Sequence, residues 1–162
     1  MPLEIERKFL LTTDGWRGLV TRQARLRQGY IANSETASVR VRTSDSQAWL
    51  NIKSVSLGVS RDEYEYAVPL AEGVAMLESL AIGATIDKTR HWVEHAGFVW
   101  EIDEFHGPNE GLFVAEIELE REDQTFDRPD WVGTEVTHLE RYYNVCLVHY
   151  PYCQWSATER VL

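Results

Sequence analysis

Like charges recur along this chain in pairs with one residue between them: Glu4/Glu6, Arg40/Arg42, Glu63/Glu65, Lys88/Arg90, Glu101/Asp103 and Glu116/Glu118, with Arg25/Arg27 as a weaker member. Alternate side chains of a strand share a face, so each pair sets two like charges side by side, roughly 7 Å apart. At that separation two unit charges repel by about 2 kcal/mol at an effective dielectric of 20, and by about 0.6 kcal/mol in water. Repeating the arrangement in both signs is unfavourable unless something multivalent lies between. Divalent cations would neutralise the carboxylates and a polyphosphate would neutralise the bases. Hard cations such as Mg²⁺ and Mn²⁺ prefer oxygen donors. Arg supplies a planar fork for phosphate oxygens, and Lys a compact positive charge. Such a set suits phosphoryl transfer, in which catalysis is mostly positioning and charge neutralisation.

The elements that must carry these pairs read mainly as strands, in an α+β chain that is mainly β. Ile5, Phe9 and Leu11 face opposite to Glu4, Glu6 and Lys8; Val39 and Val41 oppose Arg40 and Arg42; Leu50 and Ile52 oppose Trp49, Asn51 and Lys53. Tyr64, Tyr66 and Val68 oppose Glu63 and Glu65; Trp100 and Ile102 oppose Glu101 and Asp103; Phe113, Ala115, Ile117 and Leu119 oppose Glu116 and Glu118. With residues 25–31 and 85–93 these give about eight to nine strands. Short turn-like stretches around residues 44–46, 56–58, 95–97 and 107–111 predict antiparallel neighbours. Two segments have helical spacing instead: residues 70–81 after Pro69, despite Gly73, and residues 138–149. Such a sheet either stays open with its charged face in water, or curls so that the charged face lines a water-filled tunnel with the apolar face covered by helices. In the second case Arg61 joins the facing bases. No linker or repeat interrupts the chain, which predicts one domain over residues 1–162.

The 162 residues are enough to bury a core, and 44% hydrophobic with 26% charged residues is the composition of a globular protein. A net charge of -10 argues against nucleic acid and membrane surfaces as partners, since both are anionic. Any anionic ligand must then be captured by local bases. Cys146 and Cys153 fit neither a zinc knuckle nor a CxxC pair and predict reduced thiols in a cytoplasmic setting. The charged start lacks the apolar stretch of a signal peptide, and no apolar run approaches the roughly 20 residues of a membrane span. Neither Gly-rich phosphate loop, GxxxxGK[ST] or GxGxxG, is present, and no Ser, Cys or His nucleophile signature occurs.

The opening Glu4-Ile5-Glu6-Arg7-Lys8 resembles the ExExK signature of the CYTH, or triphosphate tunnel metalloenzyme, superfamily. In order there follow Leu26-Arg27-Gln28-Gly29-Tyr30, Arg40-Val41-Arg42, Ile52-Lys53, Arg61-Asp62-Glu63-Tyr64-Glu65, Lys88-Thr89-Arg90, Glu101-Ile102-Asp103, Glu116-Ile117-Glu118 and Glu135-Val136-Thr137, then Arg141-Tyr142 and Asn144. The resemblance covers residues 3–148. It implies an eight-stranded antiparallel β-barrel forming a charged tunnel with a few covering helices. It also implies a metal-dependent triphosphatase of the short bacterial type, which hydrolyses inorganic tripolyphosphate to phosphate and pyrophosphate with Mg²⁺ or Mn²⁺. Glu4, Glu6, Glu116 and Glu118 are then expected to hold metal, with Glu63, Glu65 and Asp103 as weaker candidates. Lys8, Arg40, Arg42, Lys53, Lys88 and Arg90 are expected to hold the triphosphate. Tyr30 with Lys8 would be the catalytic pair, Lys8 depressing the phenol pKa so that it acts as a base with an alkaline optimum; the plain alternative is that Tyr30 only packs. Members often carry Lys before the Arg-Tyr of the C-terminal segment, where this chain has Glu140. A class IV-type adenylyl cyclase and a non-catalytic polyphosphate- or organophosphate-binding module are the alternative functions. The oligomeric state stays open, a homodimer included.

Overall fold

The computed structural model describes residues 3–56 and 58–160. Among the described residues nine strands form: β1 Leu3–Leu11, β2 Val20–Asn33, β3 Ala37–Thr43, β4 Ala48–Ser54, β5 Ser60–Val68, β6 Ile82–His95, β7 Phe98–Phe105, β8 Phe113–Glu118 and β9 Val132–Glu135. They hydrogen-bond in the order β5-β4-β3-β2-β6-β7-β8-β1-β9, and β1 also pairs with β5. Eight antiparallel strands therefore close into a ring, with β9 attached outside it. The open-sheet alternative is excluded, because the first strand returns to the fifth.

Closure depends on how β1 divides one edge. Its first half, Leu3 to Ile5, pairs with Asp62 to Ser60, while Phe9 and Leu11 pair with Glu135 and Val132. The Glu6 amide donates to the Val59 carbonyl and the Lys8 carbonyl accepts from Val136, both at 2.8 Å; residues two apart share an edge, so β5 and β9 lie on the same side. The other edge belongs to β8, with Glu6 opposite Glu118 and Lys8 opposite Glu116.

The pleat sorts the side chains as the charge spacing predicts. Phe9, Trp100, Ile102 and Ile117 point out of the ring and are fully buried. Irregular chain covers part of this face, through Trp16, Phe126 and Trp131. Trp100 sits edge-on to Phe9 at 5.6 Å, Phe126 at 5.7 Å and Trp131 at 5.6 Å, the favoured geometry for ring quadrupoles. Elsewhere α1, Leu70–Ser79, lies on β3 and β4. Gly73 belongs in that helix because of the close approach: a Cβ there would stand 2.4 Å from the Ala48 Cβ. The Arg25/Arg27 pair also faces outward, with Arg25 bonded to Asp87 at 2.6 Å.

The other six charge pairs face inward, but the interior is not charged throughout. At one end the inward residues Ile86, Phe105 and Val114 form a second core with Val136, Tyr142, Leu147 and Trp155 from the C-terminal segment. That segment is not the continuous helix expected over 138–149. It is a 3-10 turn, Glu140–Tyr142, then α2, Asn144–Leu147, with α3, Ala157–Arg160, farther on. Among the described residues no helix is long and apolar enough to cross a membrane.

Candidate active site

A cavity of about 660 Å³ occupies the charged part of the ring. β1 contributes Glu4, Glu6 and Lys8; β3 and β4 contribute Arg40, Arg42 and Lys53; β5 contributes Arg61, Glu63 and Glu65. Lys88, Arg90, Glu116 and Glu118 come from β6 and β8, and Tyr30 from β2. Thus every site residue expected from sequence lines this cavity except Asp103, which is fully buried behind it.

Within the ring, acids and bases occupy one another. The Lys8 ammonium lies 2.9 Å from Glu6 and 2.8 Å from Glu116. Arg61 reaches Glu4 and Glu6, both at 2.9 Å, and Lys53 reaches Glu4 at 2.9 Å. Asn51, wholly buried, accepts from Arg40 and donates to Glu63 and Glu65, each at 2.8 Å. Asp103 accepts from Arg90 on both oxygens, at 2.8 and 2.9 Å, and from Lys88 at 2.7 Å. Three of its acceptor sites are thus taken up by bases. Among the described residues no three carboxylate, imidazole or thiol groups meet closely enough to form a ready-made metal cage.

The balance is uneven in a way that matters chemically. Burial would raise the Glu6 carboxyl, yet Lys8, Lys53 and Arg61 hold it down at about 2. Burial pushes Arg42 down to about 10, helped by the like charges of Arg40 and Arg90. Lys88 is pushed down to about 7 by burial and by Arg90, even though Asp103 favours its charged form. Burial would lower Lys8 and Arg90 too, yet their carboxylate partners raise both. On the opposite side Glu63 is pushed up to about 7 by burial and by its hydrogen bond to Glu4, and Glu118 is raised by partial burial and by Glu4, Glu101 and Glu6. Burial would raise Glu4 and Glu116 as well, yet the bases around them hold both down. Strongly perturbed ionisable groups of both signs thus gather in one cavity, as they do at functional sites.

Burial raises the Tyr30 phenol and outweighs the cations Arg40, Arg61 and Lys8, which favour its ionised form. The aromatic ring that Lys8 faces is Tyr143, 5.2 Å from its nitrogen. Glu140 is exposed and is not among the lining residues, so the departure from the family pattern falls outside the cavity. Sequence reasoning missed the lining role of Tyr143 and Asn144, and the bridging role of Asn51. The odd position of Asn51 among inward residues was a usable signal; Tyr143 and Asn144 carry no strand period that would have placed them. Gln28, also inward and wholly buried, has neither amide atom partnered, and the Nε atoms of Arg40 and Arg42 are likewise unpartnered among the described residues.

A closed antiparallel ring with acids and bases facing across its interior defines a class of protein, and comparison gives that class its name: residues 2–146 match the CYTH domain model, and the chain belongs to the CYTH family. It is 45% identical over 152 residues to an inorganic triphosphatase of Acetivibrio thermocellus, covering 94% of this chain and 97% of that one. A solved inorganic triphosphatase structure is 32% identical with a TM-score of 0.63, covering 91% of this chain and 95% of the other. A Hippeastrum protein with a dominant triphosphatase activity shares the fold at 16% identity and a TM-score of 0.59, over 73% of this chain and 80% of its own.

Proposed function

We propose that the chain is a divalent-cation-dependent triphosphatase that hydrolyses inorganic tripolyphosphate to orthophosphate and pyrophosphate inside the ring. The observation that carries this reading is a single cavity that bases of β3, β4 and β6 line together with carboxylates of β1, β5 and β8. A triphosphate would supply anions to Arg40, Arg42, Lys53, Lys88 and Arg90, with Lys8 and Arg61 beside them. Cations would then relieve the carboxylates that those bases release. The exchange gives both sets of charges partners, which offsets part of the desolvation of each. The inorganic triphosphatase of A. thermocellus supports the substrate assignment.

The donor set fits a hard cation. Glu4, Glu6, Glu116 and Glu118 offer only carboxylate oxygens, and β1–β8 pairing sets Glu6 against Glu118. These four would hold Mg²⁺ or Mn²⁺, with Glu63 and Glu65 as further oxygen donors. When bound, such a cation supplies charge withdrawal from the phosphate oxygens. The chain's own residues do the rest: the guanidinium forks fix the phosphoryl oxygens, Lys8 holds Glu6 and Glu116 in register, and the protonated Tyr30 donates a hydrogen bond. The enclosing walls limit bulk water. The test compares orthophosphate release from tripolyphosphate, ATP, thiamine triphosphate and pyrophosphate in Mg²⁺ and in Mn²⁺. Tripolyphosphate is expected to turn over fastest. Turnover of ATP or thiamine triphosphate with none of tripolyphosphate would overturn the substrate, and tight binding with no turnover would leave a binding module.

A further inference from the structure

The arginines of the cavity are held in two different ways. The Nε of Arg90 donates to Asp103 at 2.8 Å and that of Arg61 to Glu4 at 2.9 Å, so each of these guanidinium planes is fixed through the nitrogen nearest its stem. Arg42 has no such anchor. It approaches Glu65 only to 3.7 Å, beyond hydrogen-bond reach, and its buried Nε has no partner among the described residues. Directly opposite Arg42, on β2, stands Gln28. Residues paired across two antiparallel strands share a face, with Cβ atoms about 4.5–5.5 Å apart, so the Gln28 side chain points into the ring beside the Arg42 stem. Gln28 is 0% exposed, and neither its amide oxygen nor its amide nitrogen has a partner among the described residues. Its neighbour on the other side, Ile86 of β6, belongs to the inner apolar core and has no polar side-chain atom to offer. A lone acceptor and a lone donor therefore lie side by side on adjacent strands.

We propose that Gln28 is a positioning residue: its amide oxygen accepts from the Arg42 Nε when a polyphosphate draws that guanidinium into the cavity, leaving both Nη groups to meet phosphate oxygens. The inference rests on the triphosphatase reading above. Gln28 is not among the lining residues, so it acts through Arg42 and not on the anion itself. A guanidinium anchored at Nε has its plane set in advance, whereas a free one turns about its stem, and the anion must then bear the entropy of ordering it. Glu65 cannot serve as that anchor, because it already accepts from Asn51 at 2.8 Å. A neutral oxygen also differs from the carboxylate that anchors Arg90: it orients the cation without cancelling its charge, which stays available to phosphate. In the anion-free protein the unpaired amide is a destabilising group, since a buried donor or acceptor without a partner keeps its full desolvation cost. It becomes favourable only when Arg42 turns.

Gln28→Met keeps the volume and removes the amide. The melting temperature of the metal-free protein should hold or rise, because two unpaired buried groups are gone. Tripolyphosphate affinity, read by calorimetry, should nonetheless fall about tenfold, the loss expected for one hydrogen bond to a charged group. In turnover the loss should appear in KM, with kcat little changed. In an Arg42→Ala background the same substitution should cost nothing further, since the pair it breaks is already absent. A purely structural amide predicts the opposite pattern, with a lower melting temperature and the same effect on affinity whether or not Arg42 is present. Unchanged affinity in Gln28→Met, an equal loss in both backgrounds, or a loss confined to kcat would overturn the proposal. Gln28→Leu carries the same cycle, with the same outcomes, if the Met variant does not fold. Orthophosphate release measured alongside keeps the two readings apart. Coupling between Gln28 and Arg42 in a protein that hydrolyses no tripolyphosphate would sink only the triphosphatase reading, and hydrolysis without that coupling would sink only the role of Gln28.

Discussion

Glu63 reports on the charge balance of the interior. Its folded pKa of about 7 lies above the ordinary value of 4.5. Between those values the folded protein keeps a proton that the unfolded chain has lost, so stability falls as pH rises from 4.5 to 7 and levels off above. Glu63→Gln should flatten that slope in metal-free protein, measured by denaturant unfolding at several pH values; an unchanged slope would assign the titration elsewhere. Glu118→Gln removes a like charge from Glu4, Glu6 and Glu101 and should raise metal-free stability slightly while abolishing turnover. Retained full activity would take Glu118 out of the metal-binding set. Tyr30→Phe should slow turnover without altering the alkaline limb of the pH profile, because the buried phenol stays protonated. A flattened alkaline limb would restore Tyr30 as a base. The charge pairs were legible in the sequence because strand period alone assigns two residues to one face. Their partners were not. Arg61 meets Glu4 and Glu6 only because β1 closes on β5, a pairing across more than fifty positions that no local pattern encodes.

At the scale of elements, the strands were legible in kind and short in extent. β2 and β6 each run to fourteen residues, longer than the expected 25–31 and 85–93, since their ends are held by mutual pairing despite weak alternation. The expected helix over 70–81 ends at Ser79, and Ile82 already starts β6. The 138–149 segment misled for a definite reason. Leu139, Tyr142 and Leu147 fall on one side because they pack on the inner apolar core, yet Leu139 and Tyr143 are extended, with ψ of 105° and 139°. The hydroxyl contact of Tyr143 with Thr137 and the edge-on packing of Tyr142 on Trp155 at 5.0 Å outweigh helical continuity. For α1, Gly73→Ala improves helix propensity by about 1 kcal/mol but forces a methyl group against Ala48, so overpacking of about 1–3 kcal/mol should dominate. Chemical denaturation should show net destabilisation; a more stable variant would mean that α1 can lift from β4 freely.

For the whole molecule, a chain of net charge -10 encloses a basic wall inside a ring and covers that ring's outer face with aromatic residues. The acidic exterior disfavours polyanions in general, while the buried bases reward one that fits. Ring closure therefore confers selectivity as well as rigidity, since the same charges on an open sheet would be screened by water and salt. The most direct measurement is phosphorus NMR of tripolyphosphate with Mg²⁺, run in parallel for the wild type, Arg42→Ala and Glu6→Gln. The wild type should produce orthophosphate and pyrophosphate in equal amounts and stop on chelation. Removing one member of a buried charged set costs about 2–5 kcal/mol, so both variants should be slower by tens-fold or more. Wild-type rates in both variants, or hydrolysis that persists in chelator, would contradict a metal-dependent triphosphatase site inside the ring.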